Sequence, residues 1–428
     1  GSASFAQLYL AVRAEEGTAL ADADHAALED EVAKATRSWD DDLNAELSGR
    51  FGAERAAELM ETYGEALPEG YKVDTDTVTA VDDISRLDRI GDDEIAVNLY
   101  QSVSENPNEW RLKVYRRGEP ISLSRVLPLL EHMGIEVVDE RPYGIASRGA
   151  AREGAGRAWI YDFGMAPIED AVDVAPDRLK SLFEEAFTAL WKGLGESDGF
   201  NALVVRGGLH WRQLTILRAY AKYLRQTGSA FSPAYIADVL VANVHIANLL
   251  VQLFEARFDP DHADGREERT AAIAEEIRGE LEQVANLDQD RILRFFLAAV
   301  EATLRTNYFQ TDSAGVPKPY LVYKLDPQHI PDLPAPRPKL EMYVYSPRVE
   351  GVHLRFGSVA RGGLRWSDRF EDFRTEILGL VKAQMVKNSV IVPSGAKGGF
   401  VCKRLPSGDR DTVMAEVVHC YEQFISGL

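Results

Sequence analysis

Between residues 77 and 166 the apolar positions switch repeatedly between helical and strand spacing, and this alternation narrows the folds open to that part of the chain. A short helix is expected over 78–90. Strands follow over 95–101 and 110–116, with the turn Glu105-Asn-Pro-Asn between them. Ser122 suits the N-cap of a helix that runs to Met133 and is closed by Gly134. Two more strands, over 135–143 and 157–163, flank a glycine-rich loop at 148–156. Helix, two strands, helix, two strands is the order of a ferredoxin-like α/β sandwich, here bounded at 71–168. Its loops gather no polar constellation, so a purely structural spacer stands beside an amino-acid effector site.

The flanking segments have different periods. Residues 1–70 read as the end of an upstream α/β unit, with a strand over 5–12, followed by two amphipathic helices over 22–67 broken at Gly49 and Gly52. Residues 169–277 read as a helical region, with helices over 179–194, 211–226 and 232–258. From 278 to 428 the character returns to α/β. A long helix to Asn307, capped by an Asp near 288, precedes strands over 320–324, 340–345 and 352–356. Arg206-Gly-Gly-Leu-His-Trp211 resembles Arg361-Gly-Gly-Leu-Arg-Trp366, but the residues beyond Trp211 and Trp366 do not match, and coincidence is the simpler reading.

Charge sets limits on partners. The net charge of -20 disfavours nucleic acid or an anionic membrane, both of which need a basic footprint. Residues 355–404 are the local exception, with ten Arg and Lys against four Asp and Glu, which points to a small anionic ligand. The cysteines Cys402 and Cys420 are too few for a disulfide framework and have no CxxC spacing, so reduced structural thiols are expected. The eight histidines never approach a metal-ligand spacing, and the loop Asp259-Pro-Asp-His-Ala-Asp264-Gly lacks the terminal Glu of a calcium loop. No metal is expected.

The basic stretch carries the chemistry. It reads Arg361-Gly-Gly-Leu-Arg365-Trp366, then a polar helix with Lys382, Gln384 and Lys387, then Pro393-Ser-Gly-Ala-Lys397-Gly-Gly-Phe400. Helical spacing places Gln384 and Lys387 on one face, while Lys382 and Met385 project elsewhere. A buried strand is expected over 388–392 and a loop over 394–399, presenting Lys397 where α/β proteins build ligand sites. Arg361, at its Gly362-Gly363 turn, would close a third side. Three cations around one pocket suit a dicarboxylate, and a lysine beside a second cation can act as acid or base on a carbonyl. Taken singly, each residue would read as a surface lysine or a turn glycine. A phosphate loop is the sharper rival, but it needs Ser or Thr after the lysine, and here Gly398 follows Lys397.

These motifs resemble the substrate-site motifs of the glutamate dehydrogenase superfamily. The surrounding sequence, Tyr345-Ser-Pro-Arg-Val-Glu-Gly-Val-His-Leu-Arg355 and Arg365-Trp-Ser-Asp-Arg369 through Val390-Ile-Val-Pro393, is similar to the large-subunit NAD-dependent enzymes of bacteria. The resemblance implies that Lys397 is the catalytic lysine, acting at C2 of 2-oxoglutarate in one direction and on iminoglutarate in the other. Lys387 joins it as a catalytic residue and, with Gln384, holds the α-carboxylate. Arg361, on the Gly362-Gly363 turn, holds the distal carboxylate. Smaller members have a lysine at this position, and the arginine's planar fork should do the same work with a different reach.

The resemblance further implies L-glutamate, 2-oxoglutarate and ammonia as substrates, a homotetramer in the cytoplasm, and an amino-acid effector at the ACT-like sandwich. NAD and a catalytic aspartate would belong to a nucleotide-binding region beyond this sequence, which contains no GxGxxG followed by a suitably placed acid. The expected fold is thus mixed α and β and multidomain: an ACT-like sandwich, a helical region and the substrate-binding part of a catalytic domain, without a Rossmann domain. On this reading the chain is an internal fragment, inactive alone. A non-catalytic amino-acid-sensing or assembly module, whose cations only bind an anion, is the alternative.

Overall fold

The computed structural model describes residues 27, 29, 37–101, 110–146, 157–166, 174–357, 362–387 and 395–428, with backbone alone at 386 and 387. The features expected at 5–12, 105–108, 148–156 and 388–393 lie outside the described residues, as do Arg361 and the side chain of Lys387. The chain divides into two units, one of residues 1–94, 117–119 and 143–159, the other of 95–116, 120–142 and 160–428.

In the first unit, Ser38 and Asp41 cap each other reciprocally and start α1 (Trp39–Phe51). Gly49 lies inside this helix. The break falls at Gly52 alone, whose φ of 83° disfavours a side chain. α2 (Ala53–Leu59) runs into a π-helical turn at Met60–Gly64, and α3 (Glu69–Asp74) and α4 (Thr77–Arg89) follow. Leu43, Leu47, Ala56, Leu59, Ile84 and Leu87 are buried between them. Within this core the Tyr71 hydroxyl donates to Asp83 at 2.5 Å.

Next come β1 (Ile95–Gln101), β2 (Trp110–Arg117), α5 (Leu123–His132), β3 (Val137–Ala146) and β4 (Arg157–Met165), of which Arg117 and residues 143–146 and 157–159 are counted with the first unit. The strands form a four-stranded sheet in the order β1-β2-β4-β3, with Leu99 opposite Leu112. The helix expected to open this sandwich is α4, which packs on α1 in the first unit instead. The sheet takes its second helix from α6 (Pro176–Trp191), past the expected boundary at 168. Glu184 of α6 accepts from Leu99 N at 2.8 Å, and Lys180 donates to Asn98 Oδ1 at 2.7 Å. Periodicity reveals an apolar stripe on a helix but not the surface that the stripe covers.

A 3-10 turn at Gly199–Ala202 and the short α7 (Leu203–Gly207) lead to α8 (Trp211–Gln226), α9 (Pro233–Ala242) and α10 (Val244–Phe258). The single helix expected over 232–258 is therefore two, bent by 97° at Asn243. Asn243 leaves helical geometry at φ -119° and ψ 54°, and its side-chain amide donates to Val239 O at 2.8 Å, the local competition that makes Asn a poor helix interior residue. Among the described residues no single helix is long and apolar enough to cross a membrane. The two Arg-Gly-Gly motifs also part company here: residues 206–211 end one helix and cap the next, whereas Leu364–Trp366 is a strand.

α11 (Arg266–Leu281) and α12 (Leu287–Ala302) follow, the latter capped by Asn286 rather than by an aspartate. It stops five residues before Asn307, because residues 303–306 pair as β5 (Thr303–Thr306) along β6 (Leu321–Leu325). Sheet pairing outweighs helix continuation where threonines flank the segment. The remaining elements are β7 (Leu340–Tyr345), β8 (Val349–Arg355), β9 (Leu364–Trp366), α13 (Phe373–Lys387), β10 (Ala396–Cys402) and α14 (Arg410–Gly427). They complete a six-stranded sheet in the order β5-β6-β7-β8-β10-β9, antiparallel except at β9–β10.

α14 covers one face of this sheet over a core that includes Val344, Phe400, Phe424 and both free cysteines. α8 and α13 cover the other. There Tyr220 stacks on Tyr323 with centroids 4.1 Å apart, and Arg374 of α13 forms two 2.7 Å bonds to Glu341 of β7. Both members of that ion pair are fully buried. Gln226, at the end of α8, accepts from Arg374 N at 3.1 Å and donates to Phe370 O at 2.9 Å, pinning the start of α13.

Candidate active site

Lys397 lies within β10, not on the loop expected over 394–399. It pairs with Leu354 of β8. The reason is the packing demanded of its two glycines. A Cβ on Gly399 would sit 2.4 Å from Ile377 Cδ1 of α13, and one on Gly398 would sit 2.5 Å from Leu364 Cδ2 and 2.8 Å from His353 Cδ2. Gly398-Gly399 thus admits a helix on one face and neighbouring side chains on the other, a role that glycine has inside strands as well as in turns. The period of two puts Lys397 and Gly399 on the face covered by α13.

The other expected residues converge there in part. Gly362 runs so close to β10 that a Cβ on it would lie 1.5 Å from Ala396 O, and a Cβ on Gly363 would lie 3.8 Å from Lys397 Nζ. The lysine amine therefore stands over the Gly-Gly segment. Gln384, on the α13 face directed at the sheet, covers Gly395, where a Cβ would meet its Oε1 at 2.4 Å. So Lys397, Gln384, Gly362 and Gly363 share one end of one sheet face. Lys382 is exposed, as the helical spacing predicts. Lys387 ends α13 one turn beyond Gln384, and Arg361 directly precedes Gly362, but the side-chain positions of both lie outside the described residues.

Lys397 is half-buried and, among the described residues, in no ion pair. Glu376 of α13 takes Arg365 Nε at 2.7 Å and the Ser367 hydroxyl at 2.5 Å, tying β9 to α13. His353 faces the opposite side of the sheet from Lys397. Burial, with Arg355 alongside, pushes its pKa down to about 4. Sequence reasoning passed over Glu341, Arg374 and Glu376, which fix α13. A signal existed at Glu341, an acid amid the apolar alternation of β7, since a charge at an inward strand position needs a buried partner.

The family profile described as the bacterial NAD-glutamate dehydrogenase catalytic domain matches residues 276–428. Those for helical motif 3, the ACT3 domain and helical motif 2 of glutamate dehydrogenase match 195–260, 94–177 and 46–90. The NAD-specific glutamate dehydrogenase of Halomonas elongata is 45% identical over 404 residues, covering 94% of this chain and 24% of the relative. That of Pseudomonas aeruginosa is 44% identical over 412 residues, covering 95% of this chain and 25% of the relative. The chain belongs to the bacterial NAD-glutamate dehydrogenase family. The Mycobacterium tuberculosis NAD-specific glutamate dehydrogenase is also similar, at 46% identity over 412 residues, 93% of this chain and 25% of the relative. The chain spans about a quarter of the length of these curated relatives. The catalytic-domain match takes in α12, β5–β10, α13 and α14, and Lys397 lies on β10, between β8 and the edge strand β9.

Proposed function

We propose that this chain supplies the dicarboxylate site and the catalytic lysine of an enzyme that oxidises L-glutamate to 2-oxoglutarate and ammonia with NAD. The observation that carries this reading is the Lys397 amine standing over Gly363 on the sheet face that also holds Gln384. Gln384 and Lys387 bind the α-carboxylate, orienting C2 toward Lys397. Arg361, at the start of the Gly-Gly segment, pairs with the distal carboxylate through its guanidinium fork. Lys397 then donates to and takes from the C2 oxygen as the carbinolamine forms or collapses, which needs an amine within hydrogen-bond reach of that oxygen. The packed Gly398-Gly399 strand keeps it there.

The chemistry that NAD would supply is acceptance of the hydride from C2. The described residues do not fit a dinucleotide: the six-stranded sheet is antiparallel apart from β9–β10, and the Gly395–Gly399 segment enters a strand rather than a helix N-terminus. We therefore place NAD and the catalytic aspartate outside these residues. The same family reading extends to a cytoplasmic homotetramer and to an amino-acid effector at the α/β sandwich. Of the expected domain limits, 278–428 goes with it unchanged, while the sandwich is taken to run from β1 to the end of α6, leaving α4 to the segment before it and starting the helical region after Trp191.

Kinetics of the complete enzyme test the substrate assignment. Arg361→Gln should raise KM for glutamate by roughly 10- to 100-fold and erode the preference for glutamate over norvaline, since one charge-assisted pair is lost. An unchanged preference would remove Arg361 from the distal-carboxylate role.

A further inference from the structure

A cavity of about 860 Å³ lies in the second unit, well away from Lys397. It is bounded by the segment after α6, the first turn of α8, the loop before β6, the β7–β8 hairpin and α14. That hairpin is at the far end of β8 from Leu354, the partner of Lys397, about 17 Å along the strand. The two sites therefore occupy opposite ends of one sheet.

Its charge is anomalous for a chain of net charge -20. Lys192, Arg212, Lys318, Arg348 and Arg404 line it, against the carboxylates of Asp312 and Glu416. Both acids are committed. Asp312 accepts from Ala314 N at 2.8 Å and Val316 N at 2.9 Å, and Glu416 is paired with Arg348. Among the described residues, Lys192, Arg212, Lys318 and Arg404 form no ion pair. Arg212 is half-buried, and burial lowers its pKa from the usual arginine value. A single 3.1 Å bond to Tyr308 O uses one of its five N–H donors. Desolvating a cation without a counter-charge is costly, and a bound anion offsets that cost.

The walls between these cations are flat and apolar. Trp211, Tyr308, Pro317, Pro319 and Tyr320 contribute them, and the Arg212 guanidinium sits 5.0 Å over the Tyr308 ring. Aromatic faces interleaved with cations accept a planar ring by stacking and its charged appendage by ion pairing. Four such cations suit a polyphosphate better than a single carboxylate. The volume falls in the range of sites for molecules larger than glutamate.

We propose that this cavity is a second ligand site, which binds a phosphorylated planar-ring metabolite of nucleotide size. Calorimetric titration of the chain with ATP, adenosine and inorganic triphosphate tests it. ATP should bind, with adenosine and triphosphate each at least about tenfold weaker, because ring and charge are both read. Arg212→Gln and Lys318→Gln should each weaken ATP by roughly tenfold, with unchanged far-UV circular dichroism. Lys318 lies on a loop, so its variant guards against misfolding of the other. Tyr308→Leu should weaken ATP but not triphosphate. Excess 2-oxoglutarate should leave ATP binding unchanged. The proposal is overturned if none of the three probes binds at millimolar concentration, if triphosphate matches ATP, if both charge variants bind normally, or if 2-oxoglutarate competes.

Discussion

Single residues decide whether Lys397 is held in place. The glycines beside it are required by close packing rather than by a turn. Gly399→Ala would drive a methyl into Ile377 Cδ1 at 2.4 Å, and overpacking of this kind costs about 1–3 kcal/mol. A urea melt should show that loss, with a parallel drop in substrate affinity as β10 shifts. His353 gives a pH signature. Its native pKa of about 4 lies below its unfolded value near 6.5, so the unfolded chain binds the extra proton between these limits. Stability is therefore retained above pH 6.5 and lost as the pH falls toward 4, with a slope of up to about 1.4 kcal/mol per pH unit. Denaturant midpoints of His353→Leu should lose that part of the slope. An unaltered pH profile would mean that His353 binds its proton as readily in the native state as in the unfolded one, with no lowered pKa. The residue types at this site were legible in the sequence because Lys397, Gln384 and the glycines cluster within forty positions. The strand around Lys397 was not, since two glycines signal a turn more often than a packed strand.

At the scale of elements, α13 and β10 must be set against each other for Gln384 and Lys397 to share a face. The buried Arg374–Glu341 pair fixes the start of α13, with Gln226 of α8 bonded to the same turn. Glu341→Gln would leave the Arg374 charge buried without compensation, and breaking such a pair costs about 3–5 kcal/mol. The urea midpoint should fall accordingly. Glu341→Leu combined with Arg374→Met should recover most of the loss, because a well-packed apolar pair replaces the ions. Failure of the double variant to recover would mean that the pair specifies the position of α13 beyond its stability. Local signals identified most elements: β1, β7 and α8 run over the expected residues. Where expectation failed, a tertiary or competing contact won. Asn243 broke a long apolar pattern, and pairing with β6 claimed residues 303–306.

On the scale of the whole molecule, the mixed α/β character and the presence of several domains were readable from changes of period. The assignment of helices to sheets was not, because α4 and α6 are both amphipathic and only packing distinguishes which one covers β1. The large cavity at the far end of the six-stranded sheet left no contiguous motif, since its cations come from positions as distant as Lys192 and Arg404. The functional reading depends on Lys397 doing chemistry rather than only attracting an anion, and one comparison separates these. In the complete enzyme, kcat for glutamate oxidation should fall by about 10²- to 10⁴-fold in Lys397→Ala, with the fold and oligomeric state retained. A variant that turns over within a few-fold of the parent would contradict the account and leave Lys397 as part of an anion-binding module.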